Sequence, residues 1–236
     1  MLLALDTATA TASLALYDLA ADHLLLEMTW DARRRQTQDL LATTQRAFDL
    51  VERTPQQITA LAVTTGPGSF TGVRIGISTV KGIGLGLAPA PGAPAPQVVG
   101  LPTLTVAAAP WLALAATVTP APRICACIQA GRGRYNWAWF AAGDLLARPG
   151  AADHHAGTAA EFAVALAGAD VSPIWLVGEC GADLRDAVAP LAHVFTLDDV
   201  SNLRRASQLA RLAALAIAAG RTESLDSLQP LYLRNP

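Results

Sequence analysis

The order of apolar patterns in the first 117 residues is the feature that most constrains the fold. The runs "LLALDT", "TASLALY" and "HLLLEMTW" are short and apolar, and three such runs in succession predict an antiparallel meander. In "QTQDLLATTQRAFDLV" the apolar period changes to about 3.6 residues, which predicts an amphipathic helix. The apolar face of that helix comprises Leu40, Leu41, Thr44, Ala47, Phe48 and Val51. The strand "ITALAVTT", a helix over 72–87, the strand "QVVG" and a helix over 101–117 follow.

The second half of the chain repeats this order in a shorter form. "RICACIQA" and "YNWAWFAA" predict consecutive strands, and the later segments predict helix, strand, short helix, strand and long helix. A meander followed by crossover helices, used twice, is the ribonuclease-H-like architecture of actin-type ATPases and sugar kinases. We therefore predict an α/β protein with two ribonuclease-H-like lobes, the actin-like ATPase (ASKHA) fold. The N-terminal lobe is placed at 1–101 and a smaller lobe at 102–236, whose last helix and tail can pack back on the first.

Composition argues against several classes of protein. With 17 Lys and Arg against 19 Asp and Glu, the net charge of -2 provides no global attraction for nucleic acid. Three cysteines are too few and too scattered for a disulfide framework or a four-ligand zinc site, which favours a reducing compartment. Asp6 interrupts the first apolar run, and prolines divide the uncharged stretch 82–122 below the roughly 20 apolar residues that a spanning helix needs. We expect a cytoplasmic protein with no membrane segment.

The glycine-rich stretch "TTGPGSFTGVRIGISTVKGIGLGL" at 64–87 has the composition of a phosphate-binding loop but not the spacing. It matches neither the Walker pattern nor G-x-G-x-x-G at the start of a helix. Pro67 and Gly68 instead predict a type II turn with φ > 0 at Gly68, and Ser69 or Thr71 can cap the helix that follows. Glycines at 76, 82, 84 and 86 would each cost about 0.5 to 1 kcal/mol inside a helix, so a closely packed neighbour is expected to offset them.

Few side chains suggest a catalytic or binding role, and each of them also has a purely structural explanation. An Asp at the first hairpin of an actin-like ATPase faces nucleotide phosphates and magnesium, but Asp6 and Thr7 can equally stabilise the turn. The four histidines include no i, i+4 pair of metal ligands, and Cys125 and Cys127 fit small core residues. Tyr135, Trp137 and Trp139 share one face of a strand and can either stack on nucleobases or fill a core. The basic clusters at 33–35, 132–134 and 204–205 fit RNA contacts or ordinary solvated edges.

Three segments together resemble one family. "LALDTATATASLAL", the 64–87 stretch and the C-terminal "PLYLR" are similar to the bacterial TsaB (YeaZ) family, the accessory subunit of the machinery that makes threonylcarbamoyladenosine in tRNA. The run G-P-G-S-F-T-G-x-R-x-G at the start of a helix is the most specific of the three. The motif residues are Asp6, Thr7, Gly66, Pro67, Gly68, Ser69, Phe70, Thr71, Gly72, Arg74 and Gly76.

The resemblance implies a role without chemistry of its own. Family members lack the metal-binding histidine pair of their catalytic paralogue TsaD and dimerise with it through helices of the N-terminal lobe, and the ATPase TsaE joins the pair. The implied chain has no cofactor, since ATP and metal belong to the partner subunits, and it reaches tRNA through the complex. A homodimer is possible when the paralogue is absent. The predicted interface comprises Leu40, Leu41, Thr44, Val73, Gly76, Ile77 and Val80.

Two departures from the family pattern stand out. The usual His-Ser at the start of the first helix is Gln36-Thr37 here, and the usual Asp and Glu of the second lobe are Gln129 and Arg134. The alternative function is an actin-like ATP-binding phosphotransferase or ATPase, for which Asp6 and Thr7 would be the first-lobe residues. That alternative requires a carboxylate near the start of the second lobe, where this sequence has Gln129.

Overall fold

A computed structural model describes residues 1–33, 35–87, 94–131, 133–170 and 173–233. The chain divides into two compact units. Unit 1 comprises Met1–Leu101 and Arg205–Leu231, and unit 2 comprises Pro102–Arg204 with the short end of the chain from Tyr232. The first segment of unit 1 ends at Leu101, and Arg205–Leu231 belongs to the same unit.

Unit 1 contains a five-stranded sheet in the order β3-β2-β1-β4-β5. Its strands are β1 (Leu2–Asp6), β2 (Thr11–Asp18), β3 (His23–Asp31), β4 (Ala60–Thr64) and β5 (Gln97–Leu101). β1, β2 and β3 pair antiparallel as the predicted meander, whereas β4 and β5 continue from β1 in parallel. Each strand is short and apolar, and β1 and β4 are buried along their whole length.

Helices cover both faces of this sheet. On one face, alternate strand residues such as Leu3, Leu5 and Val63 form a core with α1 (Gln36–Leu50) and α2 (Phe70–Gly86). The long helix α6 (Ala206–Ala218) packs against β1 and β2. Strand residues of the opposite parity, such as Ala4 and Ala62, are small and fully buried, so this helix can lie close to the sheet.

Unit 2 has the same topology. Its sheet order is β10-β9-β6-β7-β8. The strands are β6 (Arg123–Gln129), β7 (Arg134–Phe140), β8 (His155–Thr158), β9 (Ile174–Gly178) and β10 (Val194–Thr196). The accompanying helices are α3 (Thr103–Ala115), α4 (Ala159–Ala167) and α5 (Ala182–Val188). The sequence predicted two strands in this meander, and β8 is the missed third one, because "HAGT" is short and carries little β-forming pattern.

The helix that follows the last strand of each sheet is exchanged between the units. α3 follows β5 along the chain but packs against β6 and β9 of unit 2. α6 follows β10 but packs against β1 and β2 of unit 1. Each unit is therefore completed by a helix that follows the strands of the other repeat in the sequence.

The segment after α6 completes unit 1. The Glu223 N–H donates to Val98 O (2.9 Å), and its carboxylate accepts the Gly100 N–H (2.6 Å). Leu228 is fully buried in the unit 1 core, and the Leu231 N–H donates to Thr65 O (2.7 Å). The "PLYLR" motif thus lies where the chain closes against the start of the glycine-rich stretch, with Arg234 outside the described residues.

Two further sequence predictions concern apolar and proline-rich segments. No helix among the described residues is long and apolar enough to cross a membrane. The predicted stiff connector "APAPGAPAPQ" lies mostly outside the described residues, which resume at Pro94.

We expect Leu228→Ala to lower the free energy of unfolding by about 2 to 5 kcal/mol, because it leaves a cavity in the unit 1 core. Urea unfolding followed by circular dichroism measures the change. Gln229→Ala is the matched control, since Gln229 is exposed in the same segment and its loss should change stability by less than about 0.5 kcal/mol. Equal midpoints for the two variants would contradict a structural role for this segment.

Candidate functional site

Asp6 joins the ends of two parallel strands. Its carboxylate is 1% exposed, and Oδ1 accepts the Ala8 N–H (3.0 Å) and the Thr64 hydroxyl (2.9 Å). The first bond stabilises the turn after β1, and the second ties that turn to the end of β4. Of the two readings that the sequence left open for Asp6, these contacts match the structural one.

Thr7 and Ala8 form the surface on which α2 begins. The Thr7 hydroxyl donates to Gly72 O (2.7 Å), and the Ser69 N–H donates to Ala8 O (2.6 Å). A Cβ on Gly68 would lie 2.2 Å from Ala8 O, and one on Gly72 would lie 2.2 Å from Thr7 O. Any side chain at either position would push the helix off the β1–β2 turn, so this part of the motif requires glycine.

The turn before α2 differs from the predicted type II turn. The positive φ belongs to Gly66 (φ +107), which follows the end of β4, rather than to Gly68. Gly68 is instead needed for its close approach to Ala8. The predicted cap is confirmed at Ser69, whose hydroxyl accepts the Gly72 N–H (3.2 Å) and starts the helix at Phe70, two residues before the predicted start.

Gln36 stands where the resemblance expects a histidine. Its side-chain amide donates to Thr9 O (3.2 Å) and is largely buried. The substitution therefore retains a polar group that connects the start of α1 to the β1–β2 turn.

The glycines of α2 fall into two groups. A Cβ on Gly76 would lie 2.5 Å from the Thr7 hydroxyl and 3.1 Å from Val63, and one on Gly84 would lie 2.8 Å from Leu225. These glycines are explained by packing within unit 1. Gly82 and Gly86 are different, because apart from the neighbouring backbone of α2 itself no heavy atom of the described residues lies within 4 Å of a Cβ built on either. The expected close neighbour is thus present for the first group only.

The predicted interface residues are mostly core residues of unit 1. Leu40, Thr44, Val73, Ile77 and Val80 are 5% exposed or less, and Gly76 is buried against Thr7. Leu41 alone is exposed, at 59%. The prediction followed the strongest apolar rows of the helices, and those rows face the sheet. That a partner binds these helices stays a prediction. The residues that contact it must lie on the side of each helix that faces away from the sheet.

The outward sides of the two helices carry exposed apolar residues. On α2, Phe70 is 63% and Leu85 67% exposed, and on α1, Leu50 is 52% exposed. Leu41 and Leu50 lie on opposite flanks of α1, so we use the name α1–α2 outer face for Leu41, Phe70, Arg74, Gly82 and Leu85. The Arg74 guanidinium lies 3.9 Å from the centre of the Phe70 ring, beside a shallow cavity of about 340 Å³. The helical period of the sequence already places Phe70 and Leu85 outside the row of α2 residues that faces the sheet.

Unit 2 carries a polar network at the ends of β6 and β9. Glu179 accepts the Gln129 N–H (3.2 Å) with Oε2 and pairs with Arg204 (3.2 Å) through Oε1. The Arg204 side chain is 4% exposed, so it belongs to this network rather than to a solvated edge. The Tyr135 hydroxyl donates to Asp183 (2.5 Å), and burial together with this bond raises the pKa of Tyr135 to about 12.

The cysteines are core residues, as predicted. Cys125 and Cys127 are fully buried on β6, and burial raises the pKa of both thiols well above the usual range. They are therefore not primed as thiolate nucleophiles. Among the described residues there is no group of three or more His, Cys, Asp or Glu side chains that could hold a metal ion.

An ATP–magnesium site is a poor fit to the residues of either unit. In unit 1 the Asp6 and Thr7 side chains are engaged by the turn and by α2. In unit 2 the position that needs a carboxylate is Gln129, and a neutral amide can neither balance magnesium nor act as a base.

Comparison with known proteins agrees with the topology. A family model described as "TsaD: tRNA N6-adenosine threonylcarbamoyltransferase" matches residues 30–148. The chain is 29% identical to the Escherichia coli (strain K12) tRNA threonylcarbamoyladenosine biosynthesis protein TsaB, over 99% of this chain and 94% of that protein. It is 25% identical to the solved structure of YeaZ from Pseudomonas aeruginosa, with a TM-score of 0.73 and coverage of 98% of this chain and 99% of that one.

A more distant structure supports the fold alone. The ethanolamine utilization protein EutJ from Carboxydothermus hydrogenoformans is 10% identical, with a TM-score of 0.51 over 90% of this chain and 88% of that chain. The duplicated five-stranded sheets and this likeness define the class: an actin-like ATPase fold with two ribonuclease-H-like lobes. Within the TsaD group, which the family model identifies, the chain belongs to the TsaB (YeaZ) family.

The two groups of glycines predict stability changes of opposite sign. Gly76→Ala should lower the free energy of unfolding by about 1 to 3 kcal/mol, because its methyl group would overlap the hydrogen-bonded Thr7 side chain. Gly82→Ala should raise it by about 0.5 to 1 kcal/mol, because the helix gains propensity and nothing is displaced. Equilibrium unfolding of both variants tests this, and a shift in the same direction for both would contradict the assignment.

Proposed function

We propose that the chain is the non-catalytic scaffold subunit of a tRNA-modifying complex. In this complex it dimerises with its catalytic paralogue TsaD and, with the ATPase TsaE, supports N6-threonylcarbamoylation of adenosine 37 in tRNAs that read codons beginning with A. Involvement in threonylcarbamoyladenosine biosynthesis is supported by membership of the TsaB family and by the name of the E. coli relative.

The α1–α2 outer face is the observation that carries the proposal. Outward sides of helices are normally polar, whereas Leu41, Phe70 and Leu85 are each more than half exposed here. Exposed apolar patches of this kind are typical of protein–protein contacts. The distance between packed helices depends on the side chains at the contact. Because Gly82 has no side chain, a helix of a partner can approach this surface closely.

Gly82 supports the same conclusion from energetics. A glycine inside a helix costs about 0.5 to 1 kcal/mol, and contacts within the described part of unit 1 do not offset this cost. A second chain that approaches closely at Gly82 would offset it. The same surface can pair with a second copy of the chain when the paralogue is absent, which is the homodimer that the family resemblance implies.

The proposal also covers cofactor binding and the cellular compartment of the chain. We infer that the chain binds no cofactor of its own and acts in the cytoplasm, with ATP and metal held by its partners. The contacts of Asp6 and Thr7 within unit 1 and the amide at Gln129 support this assignment. The alternative, an actin-like phosphotransferase or ATPase, predicts magnesium-dependent hydrolysis of ATP or transfer of its γ-phosphate by the purified chain, and the scaffold proposal predicts neither.

We expect Gly82→Leu to abolish co-elution with TsaD on gel filtration while leaving the chain at least as stable as wild type. The leucine blocks close approach of a partner helix, but it improves helix propensity, and its Cβ has open space around it in the described part of unit 1. Thermal unfolding of the purified variant checks the second half of this expectation.

Ala218→Leu is the matched control, because Ala218 is exposed at the end of α6 and lies outside the α1–α2 outer face. It should leave co-elution unchanged. Co-elution of the Gly82→Leu variant with TsaD would mean that the interface does not include the surface around Gly82. Persistent separation of the wild-type chain from TsaD, even with nucleotide and TsaE present, would overturn the scaffold role itself.

A further inference from the structure

Unit 2 contains a cavity of about 360 Å³ that the proposed function does not use. Arg123, Trp137, Trp139 and His155 line it from the sheet, and Ala165 and Ala169 line it from the side of α4. Asp170 completes the lining. The volume lies within the range of roughly 300 to 1,000 Å³ that is usual for small-ligand sites.

Strand register explains why these side chains meet. Trp137 pairs with Cys127 on β6 and with His155 on β8, and Trp139 pairs with Cys125. Side chains two residues apart on a strand share a face, so both tryptophans and His155 project from the same side of the sheet. β8 begins at His155, opposite Trp137, which leaves Trp139 without a strand neighbour on that side. The alanines at 165 and 169 are too small to fill the gap.

The two tryptophans have different surroundings. Trp137 is 5% exposed and lies between Phe162, at 4.1 Å between ring centres, and His155, at 5.6 Å. It is a core residue, as one of the two sequence readings held. Trp139 is only partly buried, and the Arg123 guanidinium lies 5.2 Å from its ring centre. Trp139 therefore offers an aromatic face at which a cationic group is already held.

Within the described part of the chain, the two charged groups of the cavity keep their charges unpaired. Among the described residues, neither Arg123 nor Asp170 takes part in an ion pair, although both line the same cavity. A guanidinium is suited to a phosphate, and a carboxylate can accept hydrogen bonds from an exocyclic amine. An aromatic face flanked by these two groups matches the three parts of a nucleotide that carries an amino-substituted base.

We propose that this cavity binds a single nucleotide, with the base against Trp139, its amino group toward Asp170 and its phosphate at Arg123. The nucleotide can be free or part of single-stranded RNA, since both present the same base and phosphate. The proposal is independent of the scaffold role, because every residue involved lies in unit 2 and none belongs to the α1–α2 outer face.

Calorimetric titration of the full chain with AMP, with an adenosine pentaribonucleotide and with ribose 5-phosphate tests the proposal. We expect saturable binding of AMP or the pentanucleotide with a Kd of about 1 mM or tighter, and none of ribose 5-phosphate. Much tighter binding of the pentanucleotide would identify RNA as the source, and equal binding would identify the free nucleotide. Trp139→Ala should weaken binding about fivefold or more, because it removes the stacking surface.

Ala165→Leu provides a second test that does not remove a tryptophan. The leucine fills the cavity from α4 and should abolish binding, whereas Ala167→Leu, at the exposed end of the same helix, should leave binding unchanged. Absence of saturable binding by AMP and the pentanucleotide would overturn the proposal. Equal binding of ribose 5-phosphate, or full binding by Ala165→Leu, would overturn it as well.

Discussion

Unit 1 depends on the contact between the first turn of α2 and the backbone of the β1–β2 turn. Gly68 and Gly72 bring the helix against Ala8 O and Thr7 O at distances that no side chain would permit. Asp6 then ties the same turn to β4, and Gln36 ties it to α1. One short loop therefore positions both helices on the sheet, and with them the surface that those helices turn outward. This explains why the most recognisable motif of the chain is a packing motif.

Much of the architecture was predictable, because hydrophobic period and turn chemistry are local signals. The meander β1–β3, the helices α1 and α2 and the cap at Ser69 follow from short stretches of sequence and are confirmed. β8 escaped prediction because its strand character comes from pairing with β7 rather than from its own residues. The positive φ at Gly66 was also missed, and a Cβ there would lie 3.2 Å from Leu231 O, a contact with a residue far away in the sequence.

The candidate surface was harder to predict than the fold. Leu40 and Leu41 are adjacent in sequence and equally apolar, but a rotation of about 100° between successive helical residues buries the first and exposes the second. Composition cannot distinguish a glycine that accommodates Thr7 from one that leaves open space, as at Gly82. In unit 2 the strand alternation correctly grouped Trp137 with Trp139. Which ring is packed and which is accessible depends on where β8 begins and on the small side chains of Ala165 and Ala169.

The exchange of α3 and α6 makes the order of synthesis matter for this chain. When residues 1–101 have left the ribosome, all five strands of the first sheet exist, but the face that α6 covers is still open. That face closes only after residues 205–231 emerge, when residues 102–204 of unit 2 have already been made. Domains usually fold in order from the N-terminus during translation. Here the second repeat can complete itself first, because α3 precedes it, so the N-terminal sheet is the last part of the nascent chain to be shielded from solvent and from chaperones.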